Sequence, residues 1–570
     1  MRTSYLAEVA GDGRVVALGK EARPAPSLSH QAPPGSIVRV REVQGRFAIE
    51  PVADAGTARA DLYRLIGVHD LDPEHSSEVM AEVDQMQADP GIDDPDLRDE
   101  TTRPYVTVDG PKTRDLDQAL HVERDGGGGF VVRYAIADAA WFVRPDTALF
   151  AEALARGATY YLPGISVPML PRALSEGLVS LNPRVDRRAM VFEMHVDADG
   201  ECTDTQIFRS RIHSHDQLTF GQVQTLLDGG SDHGIDDPAI VASLQALRDV
   251  GRLRIARAAA RGVVPHRNAE VTIHLDDADG LDFVVFAQPR NEVERYSEQL
   301  SLLCNVEGAK KLREAATSPS VQAIYRTHDA PEPERLEELA QMVDAVAAAH
   351  HLDPRFHWAR HRQSLADFLR GLPAGRVTQA LARQAIMVNV RSAFSSEPGP
   401  HFGIGADVYA RFSAPMREVV GVFVHKEMWD RETSRGGAAD EPLRAAVIER
   451  ANAARELQRE LTREANRLVL DRLFAAELDR PLAERPVREG TVMGLNRRKV
   501  YIQLDDPPVD VKVYATEIDP AAEVRDGGAR LVGEGLSVTL GDAVAVRLRE
   551  RSPQGRWILD LLDADAFRPS

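Results

Sequence analysis

The sequence predicts an α+β protein of several domains: a central mixed α and β body, a small N-terminal β-rich unit and a C-terminal OB-fold β-barrel. Three observations predict it. The chain has 570 residues, more than one ordinary core accommodates, which argues for about three or four domains. Both ends carry short β-type runs separated by Gly and Pro turns, whereas the middle passes from strand-like runs to long helical ones. A long charged helical stretch closes the middle just before β spacing resumes.

Residues 1–57 alternate "YLAEVA", "RVVALG", "SIVRVREV" and "RFAIEPV" with turn residues and read as a small β-rich domain, a barrel or hairpin unit. Residues 58–100 read as a helical connector and an acidic linker. "ADLYRLIGVHDL" and "SSEVMAEVDQM" place apolar residues three and four apart, and "ADPGIDDPDLRDETTRP" is rich in acids and prolines. Residues 101–482 form the body, with strands such as "GFVVRYAIA" and "RAMVFEMHV" ahead of helices such as "ERYSEQLSLLCNVEGAKKL". Its closing helix, "LRAAVIERANAARELQRELTREANRLVLDRLFAAEL", has heptads too short for a coiled-coil seam, so packing on the body and a monomeric chain are expected. From 485 to 566 the runs "REGTVMGL", "KVYIQL", "VDVKVYATEI", "LSVTLGDAVAVRLRE" and "RWILDLL" suit an OB-fold, a common surface for single-stranded nucleic acid. There, "NRRKVYIQL" sets Arg497, Arg498 and Lys499 beside Tyr501.

Hydrophobic residues make up 43% and charged residues 28%, a globular composition. A formal charge of −19 argues against a protein that coats nucleic acid with a broad basic surface. It leaves open an enzyme that draws a polyanion into a locally basic channel. The two cysteines, Cys202 and Cys304, form no CxxC pair and are too few for a structural zinc site; reduced thiols in a cytoplasmic protein are expected. The first twenty residues lack the apolar core of a signal peptide, and no uncharged apolar run is long enough to span a bilayer, so no membrane partner is expected.

The chemistry concentrates in "VDGPKTRDLDQAL", residues 108–120, which places Asp109, Asp115 and Asp117 close together. Asp115 and Asp117, two apart, share one side of an extended segment. Asp109 reaches the same point if "GPKT" turns. Such a cluster is either a solvated acidic turn or a cage for a hard divalent cation such as Mg²⁺ or Mn²⁺, because clustered carboxylates repel unless protonated or bridged. An EF-hand is excluded: counted from Asp109, its glycine and glutamate positions hold Arg114 and Leu120.

The flanking residues speak for the cage. "YVTVDGPKTRDLDQALHV", "VRYAIADAAWFV", "ARGATYYLPGISVPMLPRALSEGLVSLNP" and, later, "SSEPGPHFGIGADVYARFSAPMREVVGVFVHKEM" resemble, in order, the catalytic (RNB) domain of the ribonuclease II and ribonuclease R family over about residues 101 to 480. The C-terminal barrel is similar to the family's S1-type OB module. The resemblance implies a processive, Mg²⁺-dependent exonuclease, with Mn²⁺ as a substitute, that degrades single-stranded RNA from the 3′ end to nucleoside 5′-monophosphates. It places metal ligands at Asp109, Asp115, Asp117 and Gln118, the last standing where the family has a fourth aspartate. That departure keeps a second expectation open, an impaired, RNA-binding member. The resemblance puts Arg417 near the scissile phosphate and counts it, with Asp115 and Asp117, as catalytic. It implies that Tyr161 stacks on the 3′ nucleotide while Tyr160 turns to the core, and that Glu298 and Gln299 contact the terminal ribose. Asp138 is expected as a support behind the metal cage, or as the cap of the next turn. Arg184, Arg187, Arg188 and His401 are expected to lend positive potential to the RNA path, and His425 to be structural.

Overall fold

The N-terminal β-type runs pair into one antiparallel sheet in a computed structural model that describes residues 4–19, 28, 30–43, 46–264, 270–276, 280–316, 321–433 and 440–562. Its strands, β1 (Ser4–Val9), β2 (Val15–Ala17), β3 (Ile37–Val43) and β4 (Arg46–Ala53), lie in the order β2-β1-β3-β4. Alternation along β1 and β3 turns Tyr5, Ala7, Val9, Val38 and Val40 to one side, where they form a small core of their own. Helices α1 (Ala58–Val68) and α2 (Ser77–Ala88) start at Thr57 and Ser76, whose hydroxyls accept the N–H groups of Ala60 and Val79. Val79 and Val83 of α2 enter the main core. The acidic stretch after α2 is tied down, since Arg188 pairs with Asp94 at 3.1 Å and donates to the Gly91 carbonyl.

Five strands then close into a barrel in the order β10-β11-β5-β6-β7: β5 (Arg98–Asp109), β6 (Gln118–Arg124), β7 (Phe130–Ala137), β10 (Asp186–Val196) and β11 (Cys202–Thr219). Only β11 and β5 run parallel; the other recorded pairs are antiparallel. Between β7 and β10 lie α3 (Ala139–Phe142), α4 (Ala148–Arg156) and a hairpin of β8 (Tyr160–Leu162) and β9 (Ile165–Val167). The Glu82 carboxylate of α2 accepts the N–H groups of Ala148 and Leu149 at the start of α4, where a negative charge suits the free N–H groups of a helix start. After β11 come α5 (Phe220–Leu227) and α6 (Pro238–Ala260).

The chain forms two compact units. The first contains Met1–Ala258, Arg290–His328 and Ser392–Glu464. It holds the barrel, α7 (Glu292–Ala315), the short pair β14 (Tyr325–Thr327) and β15 (Ala393–Ser395), α11 (Val419–Thr433) and the first part of α12 (Glu441–Leu478). The long charged helix packs as expected, sending Val447 and Ala451 into the core of this unit.

The second unit contains Ala259–Pro289, Asp329–Arg391 and Ala465–Ser570. It carries the hairpin β12 (Glu270–Leu275) and β13 (Phe283–Gln288), and the helices α8 (Pro333–Ala349), α9 (Leu365–Gly371) and α10 (Arg376–Met387). The C-terminal strands form a five-stranded sheet ordered β18-β17-β16-β22-β23 and a small β19-β20-β21 sheet. They are β16 (Val487–Asn496), β17 (Lys499–Leu504), β18 (Asp510–Tyr514), β19 (Glu523–Arg525), β20 (Arg530–Gly533), β21 (Leu536–Thr539), β22 (Ala543–Arg551) and β23 (Trp557–Leu562). The outer strands β18 and β23 approach one another, which curls the five-stranded sheet into the expected OB-type barrel. Residues 563–566, the expected end of that barrel, lie outside the described residues. Val469 and Phe474 of α12 belong to the core of this barrel, and Trp557 donates its indole N–H to Asp471 at 2.7 Å. Tyr501 faces Lys512, while Tyr514 faces both Lys499 and Arg556. No helix among the described residues is long and apolar enough to cross a membrane.

Candidate active site

Asp109 is the last residue of β5 and Gln118 the first of β6, so the acidic motif is the connection at one end of the closed barrel. Gly110 and Thr113 close a turn through the Thr113 N–H and the Gly110 carbonyl, at 3.2 Å. Beyond it the chain is extended and pinned at three points. The Leu116 N–H donates to Ser180 Oγ at 3.0 Å, the Leu116 carbonyl accepts the Leu181 N–H at 3.0 Å, and the Asp117 carbonyl accepts the Ala137 N–H at 2.8 Å. Leu116 is fully buried. With Leu116 fixed inward, the alternation of an extended chain turns Asp115 and Asp117 the other way.

Opposite them stands the segment before α11. Asp117, 2% exposed, accepts the Met416 N–H on Oδ1 at 3.1 Å and Nε of Arg417 on Oδ2 at 2.6 Å. Tyr161 donates its hydroxyl to Asp115 Oδ2 at 2.9 Å. The structure thus brings Asp109, Asp115, Asp117, Tyr161 and Arg417 together from points about 300 residues apart in sequence. The Arg417 side chain remains 38% exposed and Tyr161 47% exposed, so solvent reaches both. A cavity of about 300 Å³ opens beside them, lined by Lys112, Arg114, Asp115, Tyr161, Arg172 and Met416 among others. That is near the lower end of ordinary small-ligand pockets.

The electrostatics show a site short of positive charge. Burial first, then the neighbouring Asp117 and Asp115 carboxylates, push Asp109 up to about 7 against the pull of Arg417. Burial also raises Asp117, with Arg417 and the Met416 N–H opposing. Burial tends to lower Arg417, but Asp117, Tyr161 and Asp115 outweigh it and hold the guanidinium firmly charged. Three acids facing one arginine, all offering hard oxygen atoms, have the donor chemistry of a divalent-cation site.

Gln118 takes a different part from the one expected. Its amide nitrogen donates to the Ser413 carbonyl, and its amide oxygen accepts the hydroxyls of Tyr134 and Ser301. Both ends of the side chain are occupied by protein, so it ties β6 to β7, α7 and the segment before Arg417. Asn305 supports the same segment, accepting the N–H groups of Phe412 and Ser413 and donating to Tyr409 and Ser413 hydroxyls. Ser301 and Asn305 escaped the sequence reading. Their signal was the spacing Glu298, Ser301, Asn305 in "SEQLSLLCN", one helix stripe of polar residues. Glu298 is exposed on that stripe, 3.4 Å from Arg290, and Gln299 is partly exposed beside it; neither touches the acidic cluster.

Other expectations need correction. Arg188 is buried, so it lends no potential to an RNA path; with Arg209 it neutralises the fully buried Asp138. Asp138 is thereby an ion-pair centre, not a support for the acidic cluster. Arg187 donates to the carbonyls of Ser180 and Gly177, and exposed Arg184 pairs with Asp216. His401 is buried and pushed down to about 3 by burial, Arg326 and His328, hence uncharged. His425 is buried and bonded to the Phe412 carbonyl, and Tyr160 is buried with its hydroxyl on the Arg156 carbonyl, both as expected. Among the described residues the tightest carboxylate trio is Glu427, Asp430 and Asp440. Lys426 already sits 2.7–3.0 Å from all three, which makes it their cation.

Residues 95–430 match the RNB domain family. Ribonuclease R of Escherichia coli (strain K12) is 29% identical over 467 residues, 80% of this chain and 55% of that protein. The chain spans about half the length of the Ribonuclease R relatives it matches in Escherichia coli, Shigella flexneri and two Vibrio species. The fold superposes on Mycoplasma genitalium RNase R, solved in complex with ribose methylated single-stranded RNA, with a TM-score of 0.82 and 20% identity, covering 98% of this chain and 90% of that one. It also superposes on yeast Ssd1, described as a pseudonuclease, with a TM-score of 0.59 and 12% identity, over 93% of this chain and 67% of that one.

Proposed function

The chain belongs to the RNB domain family, and from that premise we propose that it is an exoribonuclease, which hydrolyses single-stranded RNA processively from the 3′ end to nucleoside 5′-monophosphates. The observation that carries the reading is the contact of Arg417 with Asp117, with Asp109 and Asp115 close enough to feel both charges and the exposed ring of Tyr161 bonded to Asp115. The names of the relatives, Ribonuclease R and Exoribonuclease 2, support the reaction, and the RNA bound to the Mycoplasma genitalium enzyme supports the substrate.

Asp109, Asp115 and Asp117 would hold the divalent cation, Mg²⁺ or in its place Mn²⁺. When bound, the ion supplies a more acidic water and neutralises charge developing on the phosphate. The chain's own residues do the rest. Arg417 spends Nε on Asp117; among the described residues no protein group takes its two terminal nitrogens, which are left to grip phosphate oxygens as charge builds on them. Asp117, held by the Met416 N–H, fixes the direction of that guanidinium. Tyr161, anchored through its hydroxyl to Asp115, offers a ring on which a terminal base of any identity stacks.

A second reading, an RNA-binding member with impaired catalysis, is favoured by one observation: the Gln118 amide oxygen is already taken by two hydroxyls. Incubating the protein with 3′-labelled and with 5′-labelled single-stranded RNA, in Mg²⁺ and in Mn²⁺, separates the two. Release of labelled monophosphate from the 3′ end, with progressive shortening of the 5′-labelled strand, is the expected result. Binding without product in either metal would establish the second reading instead.

A further inference from the structure

The first unit carries an excess of partly buried positive charge that the reaction described above does not use. Arg326 of β14, Arg455 of α12 and Ser392, just ahead of β15, meet at one point. Ser392 Oγ accepts Nε and Nη2 of Arg326 at 3.3 and 3.2 Å and Nη2 of Arg455 at 3.1 Å, while Nη1 of Arg455 donates to the Ser392 carbonyl at 3.0 Å. Both guanidiniums also face the ring of Phe394, at 5.9 and 5.7 Å from its centre. A third, Arg411, pairs with Glu418 at 3.0 Å, and Glu418 follows Arg417 directly in the chain. Arg326, Arg411 and Arg417 all act on the Glu418 carboxylate.

The charges do not balance. Arg417 is matched by Asp117 and Arg411 by Glu418, but among the described residues no carboxylate lies within 4.0 Å of Arg326 or Arg455. Their shared partner is a hydroxyl and a carbonyl, which accept hydrogen bonds but carry no charge. Burial and mutual repulsion push Arg455 down to about 10, and burial lowers Arg326 as well. A purely mechanical tie would not need two cations without a direct ion-pair partner, since Asn452 already clamps Phe394 to α12 through the Phe394 N–H and carbonyl. Arg326 and Arg455 are only partly buried, which leaves the cluster open to an anion from outside.

We propose that Arg326, Arg455 and Arg411, assembled on Ser392 and Glu418, form a binding site for a phosphodiester group of the substrate strand next to the one held by Arg417. Guanidinium pairs bind phosphate oxygens two at a time, and a phosphodiester supplies the missing negative charge without a carboxylate's permanent cost. The proposal rests on the reading of the chain as an RNA-handling enzyme and adds a second grip on the backbone, independent of base identity.

The test is equilibrium binding of a short 5′-labelled single-stranded RNA to the full chain in EDTA, by fluorescence anisotropy over a range of salt concentrations. Arg326→Gln and Arg455→Gln should each weaken binding about tenfold and lower the slope of log affinity against log salt by about one. Arg211→Gln, which removes an arginine of β11 paired with Asp99 of β5, should leave both unchanged. Arg326→Lys and Arg455→Lys keep the charge and should keep the salt slope while losing part of the affinity. Unchanged affinity and slope in the Gln variants, or equal losses in the Gln and Lys variants, would overturn the proposal. Arginine-dependent binding without monophosphate release in either Mg²⁺ or Mn²⁺ would overturn the hydrolytic reading and leave this site standing. A wild-type protein with no affinity for RNA would overturn both.

Discussion

Asp109 is where the site's shortage of positive charge becomes a measurable stability. Burial, reinforced by Asp117 and Asp115 and opposed by Arg417, raises its carboxyl from 3.8 to about 7. Between those values the folded chain binds more protons than the unfolded one, so stability falls as pH rises through that window, and the loss is complete above about 7. At about 1.4 kcal/mol per pH unit the ceiling is about 4 kcal/mol. Asp109 is only partly buried, and solvent screening reduces the expected effect to about 1–2 kcal/mol. Asp109→Asn abolishes the titration. For a unit of this size each kcal/mol moves the unfolding midpoint by about 1 °C, so in EDTA the variant should gain about 1–3 °C on the wild type between about pH 4 and pH 8. Scanning calorimetry at several pH values reads this directly. Mg²⁺ at pH 8 should raise the wild-type midpoint more than that of the variant. A difference between the two proteins that does not change with pH would refute the reasoning.

Three further outcomes are expected. Asp117→Asn should reduce monophosphate release by about 10²–10³-fold or more, because it loses both a cation ligand and the partner that directs Arg417, with RNA affinity nearly unchanged. Single-turnover cleavage and anisotropy measure the two separately. Tyr161→Ala should weaken capture of the terminal nucleotide by about 1–3 kcal/mol, seen as a higher KM, whereas Tyr161→Phe keeps the ring and should lower kcat alone through loss of the Asp115 bond. Gln118→Asp should lower the unfolding midpoint in EDTA, since the Ser413 carbonyl loses its donor at a cost of about 1–3 kcal/mol, and Mg²⁺ should restore part of that. A Gln118→Asp protein as stable as wild type would show the amide carries no such role.

Much of this was legible in the residues. The α+β class, the β-rich ends and the packing of the long helix followed from period and turn chemistry, because each element has a strong local pattern. The pairing of Asp115 with Asp117 followed from strand alternation, and the Gly110-Pro111 turn from its dipeptide. What was not legible is the side of the site built from distant chain. Nothing local to Arg188 distinguishes a buried partner of Asp138 from a surface cation, since the choice is made by β7 pairing with β10. The same holds for Gln118, whose partners arrive from β7, α7 and the segment before α11. Ser301 and Asn305 were readable as a polar stripe, but a stripe alone does not say what it faces.

Leu116 links packing to reactivity in a way that bears on how this sequence can change. The direction in which two acids look is decided by one apolar side chain seated between them, fully enclosed and held by Ser180 and Leu181. Inserting or deleting a single residue between Thr113 and Gln118 would therefore turn the pair inside out, sending carboxylates into the interior and the leucine into water. Substitutions along this loop are open to selection one at a time, but its length is not.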